Sequence, residues 1–503
     1  MQPESGRRWF VGGVVAAAGG LAVAELVAAV LGASVSPVEA VGQEVIALTP
    51  GPIAEAIIGL VGTLDKPLAI VSVVLAVLLI GGLIGHWWMS RRAWSVVATS
   101  LLTVGAVLSV LNRPSGSADA VIAAGVGGAV LIACLGWLER QEVKAAPDDR
   151  RAFLRTLAGL GAAMAFVAVG GQLLATRRRL RQRIEEVRAA IDLPTRPVAD
   201  VTGADLGTPG APPWRSSNRD FYRIDTALTL PLIDPTEWSL RIHGMVEREL
   251  TITYQDLIDR GLQDAWVTLC CVSNEIGGDL IGNAAWSGVP MSDLLAEVGV
   301  DPEADCLFST SQDGWTCGTP LAAVTDGRDA LLAVTMNGEP LPVPHGFPVR
   351  QVVPGLYGYV SATKWVVDWE VTRFADVSAY WTDRGWGERG PIKTGSRIDV
   401  PRPDAEVAAG STTIAGVAWR QHVGIDAVEV RVDDGPWMGA RLGRVPDADT
   451  WVQWAVDWDA QPGQHVLEVR ATDANGEVQT ADVADVLPDG ATGHHEINVS
   501  VAR

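Results

Sequence analysis

Cysteine and histidine are scarce in this chain, which has 503 residues but only 5 cysteines and 7 histidines. No two cysteines have the C-x-x-C spacing of a zinc knuckle or a thiol redox pair. His86 is the only histidine before residue 200, whereas a haem b commonly needs two histidines as axial ligands. The first part of the chain therefore shows no haem or iron–sulfur ligation.

Positive charge is scarce beyond residue 200. Residues 1–200 hold 18 of the 39 basic residues and 15 of the 59 acidic ones, so the remainder carries 21 basic against 44 acidic side chains. Nucleic acid binding needs clustered positive charge, so no nucleic acid partner is expected. The acidic excess instead indicates a solvated surface on a soluble part of the protein.

Long apolar runs are concentrated at the start of the chain. Five of them, each close to the ~20 residues that span a bilayer as a helix, lie at 9–32, 67–88, 93–111, 118–138 and 152–175. Buried helices of soluble proteins rarely run so long without charge. The sequence thus predicts a transmembrane helical region at 1–183, with about five spans.

Loop charges predict the orientation of these spans. Arginine pairs at 7–8 and 91–92 and four basic residues within 140–151 occupy alternate loops, and the loop at 33–66 is acidic. The positive-inside rule then places the N-terminus in the cytoplasm. Five spans leave everything after residue 175 outside the cytoplasm, although the basic run RRRLRQR at 177–183 opposes this orientation locally.

An export signal accounts for that exception. The segment DRRAFLR at 149–155 is similar to a twin-arginine signal, a route that carries folded proteins. Arg150 and Arg151 also fit ordinary positive-inside anchors, but the motif is complete and a Gly/Ala-rich run follows it. Glu25, inside the first run, belongs either to a proton path or to an interior hydrogen bond.

The soluble half divides into three predicted segments. Residues 184–213 form a linker that ends in GTPGAPPW, with proline and glycine closely spaced. Residues 214–397 mix short strands with helical segments, which is typical of an α+β domain. Residues 398–503 contain short alternating strands separated by DDG and ANG turns, which favours a β-sandwich of immunoglobulin type.

Two cysteines stand side by side in TLCCVSN, at 270 and 271. Neighbouring cysteines are poor partners for a disulfide, so either one is structural or one has a task that needs a single thiolate. TLCCVSN resembles the T-L-x-C-x-x-N segment of the sulfite oxidase family of molybdenum enzymes. MNGEPLPVPHGFPVRQVVPGLYGYVSATKW, at 336–365, resembles that family's M-N-G-x-x-L-P-x-x-H-G-F-P-x-R stretch and its following K-W. The resemblance extends over about 220–500, and its terminal sandwich resembles the family's dimerisation domain.

The resemblance implies a molybdopterin cofactor, with Cys271 as the metal ligand and catalytic residue. Soft sulfur suits molybdenum, and Cys270 is then structural. The other implied cofactor-binding residues are Tyr222, Arg223, Asp313, His345, Arg350, Ala362, Thr363 and Lys364. His345, Arg350 and Lys364 are implied to hold the terminal phosphate of the pterin, together with the backbone at 362–363.

The chain departs from the family where sulfite is bound. Sulfite oxidases have cationic residues after the Cys-x-x-Asn unit, whereas Glu275 and Ile276 follow it here. Ile224 takes the place of a substrate arginine, with Arg223 displaced by one position, and Trp386 falls where the family has an active-site tyrosine. The chain also has no H-P-G-G stretch typical of a fused cytochrome b5 domain.

These departures leave three hypotheses. The first is an oxidoreductase outside the cytoplasm that transfers an oxygen atom to or from a neutral or weakly charged substrate, such as a sulfoxide. The second is sulfite oxidation with arginines supplied from elsewhere, such as Arg384 or Arg389. The third is a membrane-tethered binding module without chemistry. Molybdenum content separates the third from the others, and turnover of sulfite against S- and N-oxides separates the first two.

The expected partners are a small-molecule substrate, the membrane, a second copy bound through 398–503, and an electron carrier. The carrier is a quinone or a separate redox protein. Cys306 and Cys317 flank a predicted hairpin. With Cys317 opposite Phe308 they lie diagonally on one face, where they either form a disulfide in an oxidising compartment or stay too far apart.

Overall fold

The structure is a computed structural model that describes residues 3–33, 35–50, 53, 57, 65–114, 116–143, 180–191, 193 and 200–502. The chain forms two compact units. The first comprises Met1–Glu185, Ala227–Leu232 and Gln312–Gly314, and the second comprises Glu186–Thr226, Ile233–Ser311 and Trp315–Arg503. The predicted fifth span at 152–175 and the export motif at 149–155 lie outside the described residues.

The N-terminal region is helical, as predicted. Its long helices are α1 (Pro3–Leu31), α2 (Pro37–Leu48), α3 (Asp65–Trp88), α4 (Arg92–Leu111) and α5 (Ala118–Val143), and residues 180–190 form a further helix, α6. Among the described residues, four helices are long and apolar enough to cross a membrane, over Arg8–Leu31, Lys66–Trp88, Arg92–Leu111 and Ala118–Arg140. They coincide with the first four apolar runs.

Helix α1 packs against α3 and α5 through residues with little or no side chain. A Cβ built on Gly13 would lie 2.1 Å from the carbonyl oxygen of Gly81, and one built on Gly20 would lie 2.7 Å from that of Gly127. Only glycine allows backbones to approach so closely, and such contacts stabilise helix pairs within membranes. The small residues of α1 are therefore packing residues.

Glu25 has a local partner. The backbone N–H of Val38, in the first turn of α2, donates a hydrogen bond to Glu25 Oε1 at 3.2 Å. Helix α2 itself begins with a capping box, in which Ser36 Oγ accepts from the N–H of Glu39 and the Glu39 carboxylate accepts from the N–H of Ser36. Of the two interpretations of Glu25, the interior hydrogen bond is the one for which the structure supplies a partner.

The second unit is rich in β-strands and contains the larger core. Its helices are α7 (Tyr254–Asp259), α8 (Met291–Val298) and α9 (Ala322–Thr325). The strands before residue 380 are β1 (Ser239–Gly244), β2 (Leu250–Thr253), β3 (Gln263–Cys270), β4 (Ile281–Pro290), β5 (Cys306–Ser311), β6 (Thr316–Pro320), β7 (Leu331–Met336), β8 (Glu339–Pro340), β9 (Arg350–Val352) and β10 (Val366–Thr372). They form two sheets, β2-β1-β10-β5-β6 and β3-β4-β7-β8, with β9 paired to β7.

The remaining strands form two further sheets. They are β11 (Gly395–Val400), β12 (Glu406–Val407), β13 (Gly410–Trp419), β14 (Ile425–Val432), β15 (Met438–Gly439), β16 (Arg441–Leu442), β17 (Val452–Ala460), β18 (Gly463–Asp473) and β19 (His495–Val501). The sheet orders are β11-β13-β17-β16 and β12-β19-β18-β14-β15. Buried residues of both sheets, including Ile414, Trp454 and Leu467, form one core between them. These strands are called the C-terminal sandwich below.

The C-terminal sandwich shares buried residues with the larger core. The indole N–H of Trp214 donates to the carbonyl of Trp451 at 3.1 Å, and the indole N–H of Trp451 donates to the carbonyl of Trp214 at 2.8 Å. Both rings belong to the larger core, as do Val417 and Trp419 of β13. The sandwich and the strands before residue 380 are thus parts of one compact unit.

The β5–β6 hairpin has a different register from the predicted one. Cys317 pairs with Ser309 rather than Phe308, and Cys306 pairs with Pro320. A register difference of one residue moves a side chain to the opposite face of a sheet. Cys306 and Cys317 therefore point to opposite faces, and both are free thiols. The predicted diagonal arrangement is wrong, and of the two alternatives for these cysteines the structure shows the unpaired one.

Candidate active site

Cys271 follows the end of β3, at the first position of a tight loop. The loop is braced internally, because Cys271 N–H donates to the Leu280 carbonyl at 2.9 Å and Leu280 N–H donates to Asn274 Oδ1 at 2.8 Å. Burial raises the pKa of the Cys271 thiol, and hydrogen bonds from Ser273 and from the N–H of Val272 oppose that increase. The sulfur thus lies among donors that favour the thiolate.

Cys270 has a different environment from its neighbour. It is 1% exposed and belongs to the larger core, and its thiol donates to the carbonyl of Cys271 at 3.5 Å. Burial raises the pKa of this thiol well above its ordinary value. Cys271, in contrast, is only half-buried. Of the two residues, Cys271 is the more exposed.

Arg350 is a buried cation whose hydrogen bonds go to backbone carbonyl groups. Its guanidinium donates to the carbonyls of Gln351, His345 and Ala362 at 3.3, 3.1 and 3.3 Å. The residue is 5% exposed, and burial lowers its pKa to about 10, so it remains charged at neutral pH. None of the described acidic residues pairs with it. A buried charge without a counter-ion is costly, so this arrangement favours an anion from outside the chain.

Two further cations share a single carboxylate close to Arg350. Asp225 Oδ2 accepts from Arg223 Nε at 2.8 Å and from Lys364 Nζ at 3.1 Å. Lys364 also pairs with Arg350 through an isolated β-bridge. Burial lowers the pKa of Lys364 to about 8, although the charge of Asp225 opposes this decrease. Arg223, Arg350 and Lys364 are together called the cation cradle below. Among the described residues they have one carboxylate partner, that of Asp225, so the group carries an excess of two positive charges.

His345 lies beside the cation cradle as a neutral side chain and adds no charge to it. Burial, together with the charge of Arg350, lowers its pKa to about 4, so the imidazole is neutral at pH 7. Its Nε2 lies 3.0 Å from the carbonyl oxygen of Asn218 and, in the neutral ring, donates to it. Phe221 packs edge-on against the imidazole, with 5.7 Å between the centres of the two rings. Next to His345, Gly346 has φ +111°, and a Cβ there would lie 3.0 Å from Arg350 Cβ.

Tyr222 lies between the cation cradle and the cysteine pair. A Cβ built on Gly358 would lie 3.6 Å from Tyr222 Oη, 3.7 Å from the Cys270 carbonyl oxygen and 3.8 Å from Ala362 Cβ. Burial raises the pKa of Tyr222, and the charges of the two neighbouring cysteines add to this increase. The structure therefore brings Tyr222, Cys271 and Ala362 to one place.

The remaining predicted residues fall into two groups. Thr363 is fully buried: its carbonyl accepts from Gln351 N–H at 2.8 Å, and its hydroxyl lies 2.7 Å from that of Ser309. Asp313 lies at the turn of the β5–β6 hairpin, in the segment that groups with the first unit. Its carbonyl accepts a hydrogen bond from Arg113 at 3.3 Å. Thr363 therefore lies beside the strand that carries Arg350 of the cation cradle. Asp313 instead belongs to the helical first unit.

Sequence reasoning missed Asp225, Phe221 and Trp286. The guanidinium carbon of Arg350 lies 4.9 Å from the centre of the Trp286 ring, a cation–π contact. Asp225 follows Tyr222 and Arg223 at a distance of two or three residues, which is the only local signal for it. Among described residues, no cluster of three or more His, Cys, Asp or Glu side chains suits a metal ion.

Comparisons with known proteins decide the family. Residues 227–381 match the model of the oxidoreductase molybdopterin binding domain. The uncharacterized oxidoreductase YuiH of Bacillus subtilis is 30% identical over 179 residues, which are 36% of this chain and 87% of that protein. The chain belongs to the sulfite oxidase family of molybdopterin-dependent oxidoreductases. It is accordingly a molybdenum-cofactor enzyme, and the expectations of family and cofactor are confirmed.

Other known proteins are similar to this chain over part of their length. Human mitochondrial sulfite oxidase is 29% identical over 316 residues, which are 52% of this chain and 56% of that protein. The chain thus spans little more than half the length of this relative. The sulfane dehydrogenase SoxCD of Paracoccus pantotrophus is 26% identical, with a TM-score of 0.48 over 53% of this chain and 75% of that chain.

The residues present fit a molybdopterin. The buried guanidinium of Arg350, which binds only carbonyls, suits the phosphate of the pterin, because charged donors bind phosphate oxygens strongly. The half-buried Cys271 thiol, surrounded by donors, suits a metal. The excess charge of the cation cradle matches a dianion. The family's cofactor is thus consistent with the chemistry of this chain's side chains.

Anion binding by the cofactor-free protein is expected to weaken as pH rises through about 8. Lys364 loses its proton in that range, which removes one charge from the cation cradle. Loss of one charged hydrogen bond corresponds to roughly tenfold weaker binding. Titration with sulfate, a dianion throughout, checks this at about pH 6.5 and about pH 9, where Arg350, with a pKa of about 10, still keeps most of its charge. The Lys364→Met variant serves as the control and should bind equally at both pH values; an equal pH dependence in both proteins would contradict the assignment.

Proposed function

We propose that this protein is a membrane-anchored molybdenum oxidoreductase that acts outside the cytoplasm on a neutral or weakly charged small molecule, by two-electron transfer of an oxygen atom. The distribution of charge carries this proposal. Arg223, Arg350 and Lys364 belong to the cation cradle, whereas the loop after Cys271 presents an exposed Glu275. Ile224, 48% exposed, adds an apolar side chain. An anionic substrate is poorly matched to such surroundings.

The proposed roles combine the family pattern with the positions of the side chains, which support them. Cys271 supplies the thiolate ligand and is the catalytic cysteine. Arg350, Lys364 and His345, with the backbone of Ala362 and Thr363, hold the phosphate end of the pterin, and Tyr222 and Arg223 line its edge. Asp313 is proposed as a further cofactor contact on the family pattern alone. When bound, the molybdenum centre supplies the two-electron redox chemistry, and the protein supplies position and electrostatics.

The proposed organisation has four parts. Residues 1–183 anchor the chain in the cell membrane, 184–213 link, 214–397 bind the cofactor, and 398–503 form an immunoglobulin-like domain that joins two copies. The four apolar helices support the anchor by length and composition. The twin-arginine motif at 149–155 supports export of the folded domain. Electrons are exchanged with a quinone or a separate redox protein.

Steady-state turnover by the purified full-length protein tests the substrate class. We expect kcat/KM for S- or N-oxides, assayed with a reduced dye, to exceed that for sulfite at least about tenfold, since one mismatched charge near a reacting group costs on the order of 1.4 kcal/mol. Glu275→Gln should raise the activity with sulfite several-fold, whereas Glu406→Gln, an exposed carboxylate on β12, should not. Faster turnover of sulfite would favour sulfite oxidation. Metal-free, inactive protein would favour a binding module.

A further inference from the structure

The loop that carries Cys271 has its second half in contact with the C-terminal sandwich. Arg397 of β11 donates from Nη1 to the carbonyl of Gly278 at 2.6 Å. A Cβ built on Gly277 would lie 2.3 Å from Nε2 of His495, the first residue of β19. One strand from each sheet of the sandwich therefore contacts adjacent residues of this loop.

Arg397 is held in one orientation. It is 7% exposed, and its Nε donates to Asp399 Oδ1 at 2.7 Å while Nη1 reaches the loop. A planar guanidinium that binds at two of its nitrogens has little freedom to rotate. The carbonyl of Gly278 is therefore fixed relative to β11.

His495 is fixed in the same way from the neighbouring sheet. Its Nδ1 accepts a hydrogen bond from the N–H of Ile398 at 3.0 Å, so the opposite edge of the ring faces Gly277. Gly277 has φ +74°, a conformation that glycine adopts freely and in which any side chain would collide with the imidazole. The ring thus fills the space that a side chain at position 277 would otherwise need.

Hydrogen bonds within the loop connect Gly277 and Gly278 to the turn at Cys271. Gly278 N–H donates to the Glu275 carbonyl at 2.9 Å, and Asn274 N–H donates to the Cys271 carbonyl at 3.1 Å. Asn274 also accepts from Leu280 N–H at 2.8 Å. A shift of Gly277 and Gly278 would therefore move the turn that directs Cys271.

We propose that Arg397 and His495 are positioning residues that fix the direction in which the Cys271 sulfur meets the metal, so that the C-terminal sandwich helps to complete the metal site. The inference rests on the proposed role of Cys271. It gives the sandwich a part in the active site beyond the association of two copies.

Variants of the full-length protein test this inference. Arg397→Met removes the bond to Gly278, and His495→Ala removes the whole ring. His495→Asn keeps an acceptor for Ile398 N–H and removes only the edge against Gly277. Two matched controls lie in the same sandwich away from the loop: Arg470→Met, whose arginine pairs with Glu429, and His465→Asn, whose histidine pairs with Asp433.

The first measurement is the rate at which iodoacetamide alkylates Cys271 in cofactor-free protein, followed by peptide mass spectrometry with Cys270 as the internal reference. Loss of the Arg397 bond should raise this rate about tenfold, the effect expected for one lost charged hydrogen bond. Loss of the His495 ring should raise it in the same direction, because the space beside Gly277 is then empty. The control variants should stay within about twofold of wild type. The second measurement, on loaded protein, is the electron paramagnetic resonance spectrum of the half-reduced metal, whose g-values depend on the direction of the sulfur ligand.

Altered g-values and faster alkylation in the three test variants, with wild-type behaviour in both controls, would support the proposal. Unchanged alkylation rates and spectra in all three would overturn it. Failure of the proposed role of Cys271 has a different signature, since Cys271→Ser would then retain the wild-type metal spectrum. The alkylation rates would still show whether Arg397 and His495 hold the loop.

Discussion

Replacement of Cys271 by serine is expected to abolish turnover and the thiolate-to-molybdenum absorption band, whereas replacement of Cys270 leaves both. Serine oxygen is a hard ligand with a high pKa, and it cannot supply the soft thiolate that suits the metal. Loss of a residue that only hydrogen-bonds to a metal ligand costs roughly 10–100-fold, so loss of the ligand itself should cost more. We expect activity at least about 1,000-fold below wild type.

The measurement compares three proteins in parallel. Molybdenum is determined by inductively coupled plasma mass spectrometry for wild type, Cys271→Ser and Cys270→Ser, and absorption spectra and turnover are recorded on the same samples. Cys270 is a suitable control because it is adjacent and buried in the core, so its replacement tests folding without changing the Cys271 thiol. An absorption band lost in Cys270→Ser but kept in Cys271→Ser would reverse the assignment.

Replacement of Arg350 by methionine should release the cofactor. Methionine has a similar length but no charge, so the cation cradle would lose the one cation that has no acidic partner. Two charged hydrogen bonds to phosphate are worth about 1.5–3 kcal/mol each, and their loss corresponds to retention weaker by roughly 100-fold or more. Lys364→Met should have a smaller effect, because Lys364 already shares Asp225 with Arg223.

Cofactor retention is measured as pterin fluorescence after extraction, following equal periods of dialysis. Arg248→Met is the control, since Arg248 is exposed and its guanidinium contacts the carbonyl and the carboxylate of Glu297. Thermal unfolding of the cofactor-free variants separates release from misfolding. Full retention in Arg350→Met would show that this cation does not hold the phosphate.

The sequence predicted the part of the site that lies in continuous motifs. Cys271 stands in TLCCVSN, and His345, Arg350 and Lys364 stand within 336–365, so the resemblance of these two motifs to the family was enough to propose them. Asp225 escaped because one of its partners, Lys364, lies 139 residues away along the chain, and the short spacing from Arg223 to Asp225 does not by itself indicate a shared site. Long-range side-chain partners depend on tertiary structure, which one sequence without relatives does not reveal.

The hairpin shows a second limit of sequence reasoning. The strands flanking 312–314 were predicted correctly, but the pairing of Cys317 with Ser309 depends on how the turn is closed, here by the N–H of Ser311 donating to the Trp315 carbonyl. A strand pattern fixes alternation but not the exact partner across the turn. Because the register differs from the predicted one by a single residue, Cys306 and Cys317 lie on opposite faces of the sheet.

The contact of His495 with Gly277 bears on the order of events during synthesis of the chain. Domains generally fold as units while the ribosome extends the chain from its N-terminal end. The loop of Cys271 emerges before β11 and long before β19, so for much of translation it has neither Arg397 nor His495 beside it. The nascent loop therefore lacks the two contacts that hold Gly277 and Gly278 in place. If Arg397 and His495 position Cys271 as proposed, we expect the cofactor to be inserted after the last strand of the sandwich has been synthesised.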